Sequence, residues 1–315
     1  MRRPDVSVVI PTRDRWQLVP RAVGTALAQL GVTVEVLVVD DGSRRPATTL
    51  PILNDPRVTL LQTPARGVAA ARNLGVRRSA GGWLAFLDDD DIWAPHKLVA
   101  LLQAAHGAGA GFAYSSAFMI EADLTPIFVV RAPPPAGLMR RLLERNAIPA
   151  GSSNVVVDRA VFDQIGGFDE SLSVLADWDA WLRLAQAAPA AQVEDALTAY
   201  SLHAGNWVLW GDPADEGDYR RFSKKHAELI RRHGAAPNRL HYDRYIASRH
   251  IRAGNRGIAG RRLVKAGLQE RDASTVAAGL MVLVAPRFLV ELRRWRRRPQ
   301  APSWLSAHEP MPIAR

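Results

Sequence analysis

The sequence predicts an α/β protein built on a mostly parallel, Rossmann-like sheet flanked by helices, and three observations predict it. The first ninety residues alternate short β-branched runs with helical repeats. The runs at 34–39 and 83–87 are almost continuously apolar, as strands buried on both faces are. Three runs end in polar clusters, at 11–14, 40–43 and 88–91. Strand, helix, strand in this order gives parallel pairing with right-handed crossovers, and ligands then bind beyond the carboxyl ends of the strands. The three clusters are therefore expected to meet in one crevice.

Taken in order, Val6-Ser7-Val8-Val9-Ile10 reads as the first strand, closed by Pro11-Thr12-Arg13-Asp14. Val19, Ala22, Val23, Ala26, Leu27 and Leu30 recur at helical spacing, with Gly31 placed as a C-cap. The second strand, 34–39, runs into Asp40-Asp41-Gly42-Ser43. A short strand at 58–61, a helix at 68–78 and the strand at 83–87 follow. The pattern then loosens to a strand at 111–120, a loop at 132–135, a helix at 138–148, a short strand at 154–157 and a helix at 178–188. From about residue 218 it becomes helical and arginine-rich, with a pair of helices over 240–268 and an irregular tail from 301.

Composition narrows the options. With 315 residues and 48% hydrophobic content the chain can bury a large core, which excludes global disorder. The absence of cysteine excludes disulfides and thiolate metal sites. The apolar run at 6–10 is too short for the core of a signal peptide, and no stretch approaches the roughly 18–20 apolar residues that span a bilayer. A cytoplasmic protein is expected, with peripheral contact at the inner membrane face as a further option. The net charge of +10 is unevenly shared: residues 1–217 hold 19 basic and 24 acidic side chains, and 218–315 hold 22 and 7. The basic character thus belongs to the C-terminal third, where it bears on partners.

Asp88-Asp89-Asp90-Asp91 follows directly on an apolar strand. Adjacent carboxylates repel and raise one another's pKa unless a cation intervenes. A hard ion such as Mn²⁺ or Mg²⁺ suits such oxygen ligands and commonly bridges them to a diphosphate. A solvated acidic loop is the plainer alternative. Similarly, Asp41-Gly42 is a common turn dipeptide, Asp40 could cap that turn, and Arg72 could be an ordinary surface helix residue.

The ordered set Val-Ser-Val-Val-Ile-Pro-Thr-Arg-Asp-Arg, Val-Val-Asp-Asp-Gly-Ser, Ala71-Arg72-Asn73-Leu74-Gly75 and Phe86-Leu87-Asp88-Asp89-Asp90-Asp91 resembles the family 2 glycosyltransferases of the GT-A fold. The resemblance covers residue 5 to about 205. It implies a nucleotide-sugar half at about 1–110 and an acceptor half at about 111–217, together the catalytic domain 1–217, with 218–315 as a basic helical extension. Pro11, Thr12 and Arg13 would lie on the loop against the nucleoside, Asp40 and Asp41 would contact base and ribose, and Arg72 would sit near the base. Asp88 and Asp90 would be the two ends of an Asp-x-Asp metal motif, and Asp89, at the donor site with Asp91, would orient the loop or bind the sugar's hydroxyls. His203 would complete the metal shell or touch the diphosphate, although a lone histidine is often structural.

On the acceptor side, Gly166-Gly167-Phe168-Asp169-Glu170 resembles the family segment that lines the site before the catalytic base. Ala176-Asp177-Trp178-Asp179-Ala180-Trp181-Leu182-Arg183 resembles the Glu-Asp-x-x-x-x-Arg pattern in which the Asp is the base; Ala176 departs from it. An Asp before an amphipathic helix is also a favoured N-cap. Asp179 reads as a residue of the helix face. Trp207 and Trp210 could wall the donor site or simply pack.

The implied activity is inverting transfer of a sugar from a nucleotide-sugar, UDP first and dTDP or GDP next, with Asp177 as general base. The acceptor would be a saccharide, a lipid-linked saccharide, a peptide or a small metabolite. A nucleotidyltransferase of similar fold and a non-catalytic membrane-associated binding protein are the alternatives. The first would carry a Gly-rich triphosphate loop after strand one, and Pro11-Thr12-Arg13-Asp14 has no glycine. Residues 276–298 join an apolar run to Arg293-Arg294-Trp295-Arg296-Arg297-Arg298, which suits an anionic membrane face or a packed helix with a charged end. Aromatics are not interleaved through that segment, so nucleic acid is not expected as a partner.

Overall fold

The computed structural model describes residues 3–45, 50–202, 214–235, 237–284 and 299–309. The chain divides into two compact units. One comprises 1–142, 146–201 and 300–315; the other comprises 143–145 and 202–299.

The first unit is built on a nine-stranded mixed sheet in the order β3-β2-β1-β4-β8-β6-β9-β5, with β7 paired to β6. The strands are β1 (Val6–Thr12), β2 (Val34–Asp41), β3 (Val58–Thr63), β4 (Trp83–Phe86), β5 (Ile92–Trp93), β6 (Phe112–Ile120), β7 (Pro126–Val130), β8 (Val155–Asp158) and β9 (Ala190–Ser201). The expected parallel pairing holds from β3 through β4 and returns between β6 and β9. The β4–β8, β8–β6, β6–β7 and β9–β5 neighbours are antiparallel, so the sheet is mixed rather than mostly parallel. The change of direction falls beside β4, the strand that delivers the four aspartates.

Both faces are covered. On one, Val6, Val8 and Ile10 of β1 and Val36 and Val38 of β2 pack against α1 (Val19–Leu27) and Leu98, Leu101 and Ala105 of α3 (Lys97–Gly107). On the other, Val9 meets α2 (Val68–Arg78). A Cβ on Gly75 would stand 2.4 Å from Val9 Cγ1, so glycine there is what lets α2 lie close on β1. Phe86, Phe162, Phe168 and Trp181 form an aromatic cluster with centroids 4.8 to 6.1 Å apart. It joins β4 to α5 (Arg159–Gln164) and α6 (Ala176–Ala187).

Several expected boundaries differ. Helix α1 ends at Leu27, closed by Ala28 N donating to Gly24 O, so Gly31, though left-handed at φ +73°, is not its C-cap. Helix α4 stops at Glu144 rather than 148, and α6 begins at Ala176 rather than 178. The tail is not wholly irregular: Ser303–Ser306 is a short helix whose Leu305 is 1% exposed.

The second unit, within the described residues, is helical: α7 (Ala214–Lys225), α8 (Ala227–His233), α9 (Arg239–Arg252), α10 (Arg256–Gln269) and α11 (Ala273–Val284), with Ser303–Ser306 of the first unit counted as α12. Arg239 bonds both Glu216 and Asp243, and Arg262 bonds Asp243, which neutralises a buried carboxylate between helices. A Cβ on Gly279 would stand 2.8 Å from Gly260 O, so α10 and α11 meet backbone to backbone.

Candidate active site

The acidic loop leaves β4 and is pinned on several sides. Asp88 N donates to Ser153 Oγ at 3.0 Å. The Asp90 carbonyl accepts from Ser201 Oγ at 2.6 Å and from Arg21 Nη2 at 3.1 Å. Asp91 Oδ1 accepts from Ser201 N at 2.9 Å. Trp93 Nε1 donates to Ser153 O at 2.6 Å, tying β5 to the same turn.

The four carboxylates then take different roles. Asp89 is fully buried; Oδ2 accepts from Thr12 Oγ1 at 2.7 Å, and Oδ1 pairs with Arg15 Nη2 at 2.5 Å. Burial raises its pKa, and Arg15 opposes that. Asp91, also fully buried, is pushed well up by burial and by Asp90 and Asp88. Asp90 pairs with Arg15 Nη1 at 2.8 Å. Asp88, with 28% of its side chain exposed, is the one that opens most to solvent, and it pairs with Arg72. The repulsion expected of the run is therefore met by two arginines, while burial adds to the cost of charge on Asp89 and Asp91.

The ends of β1, β2 and β3 converge as the strand order requires. Thr12 is buried against Asp89. Asp14, left-handed at φ +54°, accepts from Arg44 N at 2.8 Å, and its own N donates to Ser43 Oγ at 2.8 Å. Asp40 Oδ1 accepts from Ser43 N at 2.9 Å, so it does cap the Asp-Gly turn. Asp41 accepts from Arg66 N and Gly67 N; burial raises its pKa, while those amides and the nearby Arg13 charge lower it. Pro11 lies within β1, paired with Val39.

Arg72 is not an ordinary surface residue. Its side chain is 6% exposed, bonded to Asp88, with its guanidinium carbon 5.5 Å from the Phe168 ring centre. The adjacent Asn73 clamps the next turn: Nδ2 donates to Phe168 O and Phe168 N donates to Oδ1, both at 2.9 Å. One dipeptide on α2 thus fixes the Gly-Gly-Phe-Asp-Glu turn and reaches the acidic loop.

Asp177 stands in the first turn of α6, whose N-cap position is Leu175, so it is not the N-cap. Its Oδ1 accepts from Trp178 N at 2.7 Å and its Oδ2 from Asn146 Nδ2 at 3.2 Å. Burial raises its pKa; the Arg72 charge, the Trp178 amide and Asn146 lower it, and Asp88 raises it. The Gly151–Asn154 turn links the two sides: Gly151 lies against Asp177 Oδ2 and Ser153 Oγ accepts from Asp88 N. Gly151, at φ +50° after a left-handed Ala150, would place a Cβ 2.7 Å from Asp177 Oδ2. Asp179, fully buried, pairs with Arg183, which also donates to Ile165 O at 2.6 Å. It serves the helix rather than the cleft.

Among the described residues no group of three or more His, Cys, Asp or Glu side chains gathers as a metal cluster. Asp88 and Asp90 still suit a hard divalent ion in their chemistry, because such ions often take one or two carboxylates and complete their shell with substrate oxygens and water. His203, Trp207 and Trp210 lie outside the described residues.

The sequence reading did not single out Arg15, Arg21, Ser153, Ser201 or Asn146 for the site. Arg15 falls one residue beyond the polar cluster that closes β1 and ends the first of the segments that carry the family resemblance. The others reach the loop or Asp177 from distant elements and carry no motif.

A sheet whose strand ends gather an acidic loop, with a further carboxylate facing it, is the GT-A-like arrangement of glycosyltransferases. The family model described as Glycosyl transferase family 2 matches residues 7–166, 160 of the 315 residues, and the chain belongs to that family. Asp177 lies beyond the matched stretch. The chain is 33% identical over 187 residues to the succinoglycan biosynthesis protein ExoO of Rhizobium meliloti, covering 56% of this chain and 54% of that protein. It thus spans about half the length of that relative. It is 27% identical over 237 residues to the putative colanic acid biosynthesis glycosyl transferase WcaA of Escherichia coli, covering 73% and 84%. Among solved structures, that of S. aureus TarS 1–349 in complex with UDP-GlcNAc is similar with a TM-score of 0.59 and 17% identity, covering 88% of this chain and 81% of that one. At that identity the likeness concerns the fold.

Proposed function

We propose that this chain moves a sugar from a nucleotide-sugar, a UDP-sugar first, to a saccharide hydroxyl with inversion at the anomeric carbon. The observation that carries the reading is the Gly151–Asn154 turn, which lies against the candidate base Asp177 at Gly151 and bonds the donor-side Asp88, itself paired with buried Arg72, at Ser153. The solved TarS complex holds UDP-GlcNAc, and the named relatives belong to polysaccharide biosynthesis, which favours the same donor and acceptor classes.

In this reading Asp177 takes the proton from the acceptor hydroxyl as that oxygen attacks the anomeric carbon. The bond from that carbon to the diphosphate oxygen breaks, and its electron pair stays on the leaving nucleoside diphosphate. One base and no second carboxylate nucleophile give a single displacement, hence inversion. Arg72 offers positive charge beside the leaving group, and the Asp177 contacts with Asn146 and Trp178 N keep the carboxylate aimed. Pro11, Thr12, Arg13, Asp40 and Asp41 border the nucleoside. A divalent ion held by Asp88 and Asp90 would neutralise charge on the diphosphate.

Calorimetry with UDP, with and without Mn²⁺, tests the donor half: metal-dependent binding is expected, and no binding in either condition sinks the reading. A panel of nucleotide-sugars scored for thermal stabilisation then names the sugar.

The helical unit fits a peripheral place at an anionic lipid surface. On α11, Leu280 is 51% and Val284 83% exposed, and the arginines of 293–298 follow in sequence. Among the described residues no helix is long and apolar enough to cross a membrane. Sedimentation with vesicles containing about one third anionic lipid should carry the protein down at low salt; equal recovery with neutral vesicles would contradict this placement.

A further inference from the structure

Residues 300–309 come late in the chain yet belong to the sheet unit, packed against the strand that follows the four aspartates. Leu305 is 1% exposed and fills a cluster with Ile92, Ile120, Leu124 and Ala199. Ile92 is the residue after Asp91 and pairs with Ala199 across β5 and β9. Trp304 sets its ring edge-on to Phe118, centroids 6.2 Å apart. At the other end of the segment, Glu309 O accepts from Arg21 Nη1 at 3.3 Å, while Nη2 of the same guanidinium donates to Asp90 O at 3.1 Å. One arginine thus holds the acidic loop and the tail together.

We infer that residues 302–309 form a strap that positions the donor-binding loop, with Leu305 as its wedge and Arg21 as its clasp. The loop backbone is held by Ser153 at Asp88 and by Ser201 and Arg21 of α1 at Asp90. The strap holds that arginine through Glu309 O and closes the apolar face over Ile92. Leu305 and Arg21 are positioning residues that act through the Asp90 carbonyl and Ile92. This inference rests on the reading of Asp88 and Asp90 as the donor-diphosphate site.

The test compares the full chain with Leu305→Ala, Leu305→Met and a chain ending at Pro299. Two readouts are taken: the dissociation constant for UDP with Mn²⁺, and hydrogen exchange at the amides of residues 88–92. Leu305→Ala and the shortened chain should bind UDP about tenfold more weakly and exchange faster at 88–92, with KM for the donor rising more than kcat falls. Leu305→Met should stay near the parent, and a synthetic peptide of residues 299–309 should restore the shortened chain. Leu263→Ala, a core change in the helical unit, should lower the melting temperature without moving either readout. Parental exchange at 88–92 in Leu305→Ala overturns the strap, whatever the shortened chain does. If the parent binds no UDP while exchange at 88–92 still accelerates in Leu305→Ala, the strap stands and the sugar-transfer reading falls instead.

Discussion

The acidic loop after β4 and the surroundings of Asp177, the proposed donor and acceptor sides, are held in contrasting ways. On the proposed donor side the acidic loop is tied by charge pairs and hydrogen bonds, though Asp91 Oδ2 and the Nε atoms of Arg21 and Arg72 are buried without a hydrogen bond. Asp89 and Asp91 are buried, Arg15 spans Asp89 and Asp90, and the backbone is pinned by Ser153, Ser201 and Arg21. On the acceptor side Asp177 has two hydrogen bonds, beside two consecutive left-handed residues, Ala150 and Gly151. The Oδ1 of Asn146 is buried without a partner. The donor loop is therefore organised before any ligand arrives, as electrostatic catalysis requires. The proposed acceptor side instead keeps two consecutive left-handed residues next to its carboxylate, strain of the kind that clusters at functional sites.

This contrast can be broken most severely at Arg15. Arg15→Ala removes the cation between two buried carboxylates and should cost about 3–5 kcal/mol of stability, measured by urea unfolding. A loss below about 1 kcal/mol would mean that the donor loop is not held by charge pairing.

Lys97 gives the next effect and adds a pH dependence. It is fully buried with its Nζ 4.4 Å from the Trp93 ring centre and no hydrogen-bond partner, and burial lowers its pKa to about 7 from an ordinary 10.5. Between those values the unfolded chain binds a proton that the folded chain does not, so stability from this site rises with pH from about 7 to 10.5. Below 7 the full cost of a buried charge is present, offset in part by the ring. Lys97→Met should therefore stabilise by about 2–4 kcal/mol at pH 6 and by much less above pH 10. An equal gain at both ends would show that packing, not charge, dominates there.

The smallest change tests the acceptor side. Gly151→Ala puts a methyl 2.7 Å from Asp177 Oδ2 and strains a residue at φ +50°. It should lower kcat about tenfold and stability by about 1 kcal/mol, while UDP affinity stays put. A matching loss of UDP affinity would mean that the two halves are not separately held.

Much of this was legible in the sequence because its chemistry is contiguous. The four aspartates follow an apolar strand, and Arg72-Asn73 and Gly167-Phe168 lie in short recognisable segments. What escaped is what the fold assembles from afar. Ser153 lies 65 residues from the amide it accepts, and Ser201 lies 111 from the carbonyl it binds. Nothing local marks either serine. Asp177 resembled an N-cap because its type and place suit one, yet the helix starts at Ala176 rather than 178 and Leu175 holds the N-cap position. The prolines of the tail suggested disorder of pattern, but Pro302 occupies the N-cap of α12, where a missing N–H costs little. The mixed sheet was hidden because direction beyond β4 depends on pairing, not on the composition of each strand.

The division of labour between the halves is tested most directly by Asp177→Asn, with turnover and UDP–Mn²⁺ affinity measured on the same preparation. The expected result is affinity within about twofold of the parent and kcat lowered by about 10²–10⁴. Turnover at the parental rate, or loss of UDP binding in step with activity, would contradict the assignment of Asp177 as the base facing a preorganised donor loop.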